Sequence, residues 1–112
     1  MKLGEPSIDQ LRIFLAVVEE GSFGRAAKRM GRAISAVSYG IAQMETQLGV
    51  ELFKREGSRR PELTDAGRGL LAEARAVADR ADALLAKARS VHAGLESDLA
   101  LALDVMLPGD VT

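Results

Sequence analysis

Eight basic side chains, Arg25, Lys28, Arg29, Arg32, Lys54, Arg55, Arg59 and Arg60, fall within residues 23–60, where only Glu45, Glu51 and Glu56 oppose them. That stretch carries a net +5, although the chain as a whole is −1. Residues 1–22 net −2 and residues 61–112 net −4. Guanidinium and ammonium groups gathered in one region of an otherwise acidic chain can meet phosphate through that region only. Little else in the sequence could do chemistry. There is no cysteine, which excludes disulfides and thiolate zinc sites. His92 is the single histidine and sits on a helix face, where a structural or interface role outweighs that of a base or metal ligand. Asp79 and Asp82 stand at helical spacing near Arg75 and Arg80 and read as surface ion pairs. Gly21-Ser22-Phe23-Gly24 follows a helix rather than a strand, so it is no phosphate loop. The expectation is a binding protein and not an enzyme, with no catalytic residue, no metal and no cofactor.

The elements that must position the basic stretch follow from periodicity and caps. Ser7 with Gln10 forms a capping-box pattern opening a first helix. Its inward face is Ile8, Leu11, Phe14, Leu15 and Val18, and Gly21 ends it. Ser22 opens a short second helix with Phe23, Ala26, Ala27 and Met30 on one side, closed by Gly31. A third helix buries Val37, Ile41, Met44 and Leu48 and ends at Gly49. Val50 to Phe53 reads as a short strand, 54–60 as a turn and 61–63 as an edge-compatible return strand, together a basic hairpin. Thr64 caps a fourth helix whose first turn carries Asp65.

That fourth helix holds the clearest period in the chain. Leu70, Ala74, Val77, Ala81, Leu84, Ala88, Val91 and Leu95 alternate in steps of four and three, a heptad seam. About thirty helical residues reach roughly 45 Å. A body of about sixty residues cannot cover that length, so the seam asks for a second chain. Leu70, Ala74, Val77, Ala81, Leu84, Ala88 and Val91 are the expected dimer interface. After Gly94 the leucines at 99, 101 and 103, with Val105 and Leu107, alternate at strand period. The expected division is 6–63 for the basic domain, 64–95 for a linker and dimerisation helix, and 96–112 for the truncated start of a further domain.

Residues 23–42 satisfy the demands of a helix-turn-helix. Ala27 is small enough for two helices to cross closely, and four positions later Gly31 tolerates a left-handed turn. Val37 and Ile41 hold the second helix from within and leave its outer face for a major groove. Ile34, Ser35, Ser38 and Tyr39 lie on that outer face, with Gln43 further along. Hydroxyls there can bond bases or phosphates, and Ile34 can touch a thymine methyl. Ser22, Arg25 and Arg32 on the near side, and Arg55, Arg59 and Arg60 on the hairpin, complete the candidate DNA-binding set. The fold expected is mainly α: a winged helix-turn-helix of three helices and a small two-stranded wing, followed by a long dimerising helix.

The chain resembles the N-terminal part of LysR-type transcriptional regulators. The resemblance is carried by Leu11-Arg12-Ile13-Phe14, Glu20-Gly21-Ser22-Phe23, Ala26-Ala27, Ala36-Val37-Ser38, Gln43-Met44-Glu45, Leu48-Gly49-Val50, Leu52-Phe53 and Leu63-Thr64-Asp65-Ala66-Gly67, in order and at the right spacing over residues 8–70. It implies binding of double-stranded DNA at a partly palindromic operator, with the recognition helix in the major groove and the wing on flanking backbone or minor groove. It also implies a homodimer through the linker helix, tetramers in longer chains, and a small-molecule inducer only where a C-terminal sensing domain is present. The chain departs from the pattern where an apolar residue and a capping Ser are usual, with Arg32 and Ala33. Ile34 stands for the usual Gln, and Tyr39 for the usual Arg. The rival from another class is a coiled-coil adaptor, which leaves the basic wing unexplained; a winged-helix regulator of another family is a second. No segment is apolar enough for a membrane span or a secretion signal, so a cytoplasmic protein is expected.

Overall fold

The computed structural model describes residues 4–55 and 60–106, with side chains described as far as residue 96. It comprises α1 (Ile8–Glu20), α2 (Phe23–Met30), α3 (Ile34–Leu48) and α4 (Asp65–Met106). The chain divides into two units, 1–79 and 80–112, and α4 contributes to both.

In the first unit the caps fall where the small polar residues and glycines put them. Ser7 Oγ accepts from the Gln10 amide at 3.1 Å, and the Gln10 side chain accepts from the Ser7 amide at 2.7 Å. Ser22 Oγ accepts from the Arg25 amide at 2.9 Å. At the end of α2, Gly31 has φ +66°, its amide donates to the Lys28 carbonyl, and the Arg32 amide donates to that of Ala27. This paired closure makes the sharp turn between α2 and α3. The exception is α3, whose cap residue Ala33 offers no side-chain bond.

α1, α2 and α3 pack on one another around Phe14, Val17, Ala26, Ala27, Val37, Ile41 and Met44, all buried. The chain then crosses from Leu52 to Leu63 as a hairpin base. Phe53 bridges Leu63 in antiparallel fashion, the Lys54 amide donates to the Glu62 carbonyl at 2.7 Å, and the Thr64 amide donates to the Leu52 carbonyl at 3.0 Å. All three phenylalanines meet here. The Phe53 ring lies edge-on to Phe14 at 5.6 Å and to Phe23 at 5.8 Å, tying the hairpin base to α1 and α2. Residues 56–59, which include Arg59, and 107–112 lie outside the described residues.

Several expectations need correction. Ile8 and Leu48, placed on inward stripes, are exposed, because both stand at helix ends where the stripe runs past the body it covers. Ile13, Ala16 and Val17 fill the core instead of leaving it to the wider-spaced set. Ala74 is buried in the core cluster of its own chain, and Leu70 packs partly buried against that cluster. The first turns of the heptad therefore serve the intrachain core rather than a seam. Arg75 also reaches Glu19 on α1 at 3.7 Å. The alternation of residues 99–107 does not produce a strand, since α4 continues to Met106. Leucine, alanine and methionine dominate that stretch, and their helix preference outweighs a period-two pattern that contains Val105 as its sole β-branched residue before position 107.

Two glycines of α4 sit in opposite surroundings. A Cβ on Gly67 would run into the Leu52 carbonyl oxygen and stand 2.9 Å from Leu63 Cδ2, whereas Gly69 has open space. Gly67→Ala is expected to cost about 1–3 kcal/mol of unfolding free energy through forced backbone displacement. Gly69→Ala should gain about 0.5–1 kcal/mol from helix propensity. Urea titrations of the two variants measure both, and equal effects would contradict the close approach at Leu52.

Candidate nucleic-acid interface

α3 has one face committed to the core and one left open. Val37, Gly40, Ile41 and Met44 are buried, while Ile34, Ser35, Ser38, Tyr39 and Ala42 are exposed and Gln43 is half-buried. Tyr39 is 69% exposed and Ile34 56%. Gly40 allows α1 to approach closely, since a Cβ there would stand 2.8 Å from Ile13 Cδ1. The outer face of α3 and the hairpin border a groove of about 340 Å³, lined by Ser38, Ala42, Lys54, Arg60 and Pro61 with Phe23 at its base.

The hairpin is held against α3 by Glu45, the one buried charged residue among the described ones. Its Oε2 accepts from the Leu52 amide at 2.7 Å and the Phe53 amide at 3.3 Å, and its Oε1 accepts from Arg55 at 2.9 Å. Sequence reasoning missed this role. The signal was a carboxylate four residues after Ile41, on the inward stripe of α3, where a charge is tolerated only if bonded.

The candidate cations separate into two groups. Arg55 is engaged by Glu45 and, at 3.3 Å, by Glu51. Arg32 is engaged by Asp9, with both terminal nitrogens at 2.7 Å from the carboxylate. Arg29 donates to Glu19 at 2.9 Å and Glu20 at 3.1 Å. Arg32 and Arg55, both expected to contact phosphate, thus have carboxylate partners within the chain. Each brings two segments together: Arg32 the α2–α3 turn and the start of α1, Arg55 the hairpin and α3. Arg25 is more open, its side chain 76% exposed and 4.0 Å from Glu20. Lys28 is exposed on α2, and Lys54, 3.9 Å from Glu62, and Arg60 are exposed residues that line the groove. Ser22 Oγ is occupied as a helix cap, which leaves its O–H able to donate.

The Arg32 fork holds the Asp9 carboxyl below its ordinary range, with Arg12 adding to the effect. Both partners are largely exposed, so the contribution to stability is modest. Among the described residues no cluster of His, Cys, Asp or Glu could hold a metal ion, and no helix is long and apolar enough to cross a membrane.

Residues 8–68 match the family model described as bacterial regulatory helix-turn-helix protein, lysR family. The chain is 35% identical over 102 residues to the probable HTH-type transcriptional regulator YhaJ of Escherichia coli K12, covering 91% of this chain and 34% of that protein. It is 41% identical over 99 residues to a probable hydrogen peroxide-inducible genes activator of Mycobacterium xenopi, covering 88% and 52%. Among solved structures, Corynebacterium glutamicum OxyR, as a C206 mutant, superposes with a TM-score of 0.73 at 33% identity, over 78% of this chain and 27% of that one. The DNA complex of BenM_DBD with catB site 1 superposes with a TM-score of 0.72 at 32% identity, over 79% and 94%. The CbnR_DBD–DNA complex gives 0.69 at 32%, over 77% and 98%.

Glu45→Gln keeps one oxygen for the two amides and turns an NH₂ toward Arg55. It should lower unfolding free energy by about 1–3 kcal/mol in urea titration, the usual cost of a broken buried hydrogen-bond set. Asp9 gives an acid-side test. Its folded pKa lies below its ordinary value of 3.8, so the pair's stabilisation is complete above that pH and fades as pH falls through the folded pKa. Melting temperature against pH should therefore drop more steeply below about pH 4 in wild type than in Asp9→Asn. Parallel curves would remove the ion pair from the account.

Proposed function

The chain belongs to the LysR family of bacterial regulatory helix-turn-helix proteins, and we propose that it is a sequence-specific DNA-binding transcriptional regulator that acts as a dimer on a partly palindromic operator. The observation that carries this reading is the open, uncharged outer face of α3, with exposed Lys54 and Arg60 on the hairpin beside it and Arg25 and Lys28 on α2. A helix of this kind enters the major groove, and the hairpin lies on flanking backbone or in the minor groove. BenM_DBD and CbnR_DBD, which share the fold, are solved as complexes with DNA. The chain spans about a third of the length of YhaJ and about half of the Mycobacterium xenopi relative. An inducer and a tetramer belong to the proposal only for a chain that carries a sensing domain.

The proposed dimer seam uses α4 beyond the turns that face the chain's own core. Val77 in the first unit is exposed, as are Leu84, Ala88, Val91 and Leu95 in the second. Ala81, expected at the centre of the seam, is buried at 8% exposure within the single chain, so the exposed set is the better guide to partner contact. Exposed leucines and valines at heptad spacing are what a second helix covers.

Leu84→Glu should leave far-UV circular dichroism intact and yield monomer by sedimentation at concentrations where wild type is dimeric. A dimer of unchanged strength would remove the seam. DNA binding is tested by fluorescence anisotropy on a duplex at several salt concentrations. Replacing Arg59 and Arg60 with Ala should weaken binding to specific and random duplexes by similar factors. It should also flatten the slope of log affinity against log salt by about 1–2 units per subunit. A wild-type chain that binds no duplex at low salt would favour the coiled-coil adaptor instead.

A further inference from the structure

Building on the DNA-binding reading, we infer that the recognition helix reads its half-site through thymine 5-methyl groups, with Ile34 and Tyr39 as the specificity-determining residues. The charge content of α3 is the first ground. Ile34–Leu48 contains no Lys or Arg, and its sole charged residue, Glu45, is buried and bonded to the hairpin. The commonest base-specific contact, a cation on guanine O6 and N7, is therefore not available from this helix. The second ground is what the open face offers instead. Ile34 and Tyr39 are the large exposed side chains there, and Ser35, Ser38 and Ala42 fill the rest.

The placement of Ile34 suits such a contact. It is the first residue of α3, and the N-terminal residues of a recognition helix are those that meet base edges. A Cβ on Gly24 would stand 3.7 Å from Ile34 Cδ1, so the isoleucine tip rests beside the start of α2. The apolar group that B-DNA presents in its major groove is the thymine methyl. Charge complementarity agrees. The groove beside the uncharged face carries Lys54 and Arg60 from the hairpin, and α2 bears exposed Arg25 and Lys28. A duplex presents the same arrangement in reverse, phosphates at the groove edges and uncharged base edges on the floor.

The test keeps the wild-type protein and changes the DNA. Binding sites are selected from a random duplex pool, and each thymine of the selected half-site is then replaced singly by deoxyuridine, which removes only the methyl. At two positions affinity should fall about four-fold, the factor that desolvating one such carbon gives. Ile34→Ala and Tyr39→Ala, both folded by circular dichroism, should each lose the thymine-over-uracil preference at one of those positions and retain it at the other. Selected sites whose preference rests on guanines, with every deoxyuridine replacement neutral, would overturn the methyl reading while leaving sequence-specific DNA binding standing. A pool that yields no enriched sequence would overturn both.

Discussion

The buried carboxylate of Glu45 is the joint on which the interface depends. Two amides of the hairpin base, Leu52 and Phe53, donate to one of its oxygens, and Arg55 donates to the other. Without that acceptor the two amides, at residues with 0% and 6% exposure, would lack this partner, and each unpaired buried donor costs about 1–3 kcal/mol. Two of the three donors are backbone amides, so the carboxylate fixes where the hairpin leaves the body relative to α3. The phenylalanine cluster closes the same joint from the other side, with Phe53 wedged between Phe14 and Phe23. Thr64 adds a third tie, since its Oγ1 donates to the Glu51 carbonyl and accepts from the Gly67 amide. Hairpin, α3 and the start of α4 thus form one hydrogen-bonded corner.

Charge counting along the sequence located the basic region but overstated what is available to a ligand. Of the eight cations in residues 23–60, Arg29, Arg32 and Arg55 are held by carboxylates of their own chain. Their partners come from well outside the local sequence, ten residues away for Glu45 and Glu19 and twenty-three for Asp9. No linear pattern exposes these longer-range pairs, because they depend on how α1 lies against α2 and the α2–α3 turn and how the hairpin lies against α3. Arg32 illustrates the consequence. Next to an uncapped helix start it looks like a phosphate ligand, yet its bidentate fork to Asp9 ties the turn to α1 where Ala33 offers no cap bond.

Local rules were legible wherever the chain obeys them through its own backbone. Ser7, Ser22 and Thr64 cap the helices they were expected to cap, and Gly21, Gly31 and Gly49 end theirs with positive φ. The inward residues Phe14, Val37, Ile41 and Met44 followed from periodicity. What periodicity could not reveal was close approach. Gly40 and Gly67 look like propensity defects in helical segments, yet the Leu52 carbonyl occupies the space of a Cβ at Gly67, and the tip of the Ile13 side chain occupies it at Gly40. Nor did the heptad pattern show which of its positions the chain's own core takes up. Ala74 and Ala78 belong to the core cluster of the first unit, while Val77 is exposed and Ala81 is again buried.

On the DNA-binding reading, these placements divide affinity from discrimination. Phosphate contacts yield binding that is strong, sequence-blind and weakened by salt. The cations suited to that work stand on α2 and the hairpin, outside α3. The helix that meets the bases carries no cation of its own, so it adds little salt-dependent affinity and can reject a wrong base without raising non-specific binding. Such a partition requires that the cations register the helix accurately, because an apolar contact with one methyl is lost over about an ångström of displacement. The rigidity of the Glu45 corner meets that requirement. It links the hairpin, which would find the backbone, to the helix that would read the groove, through one buried carboxylate that two hairpin amides hold in place.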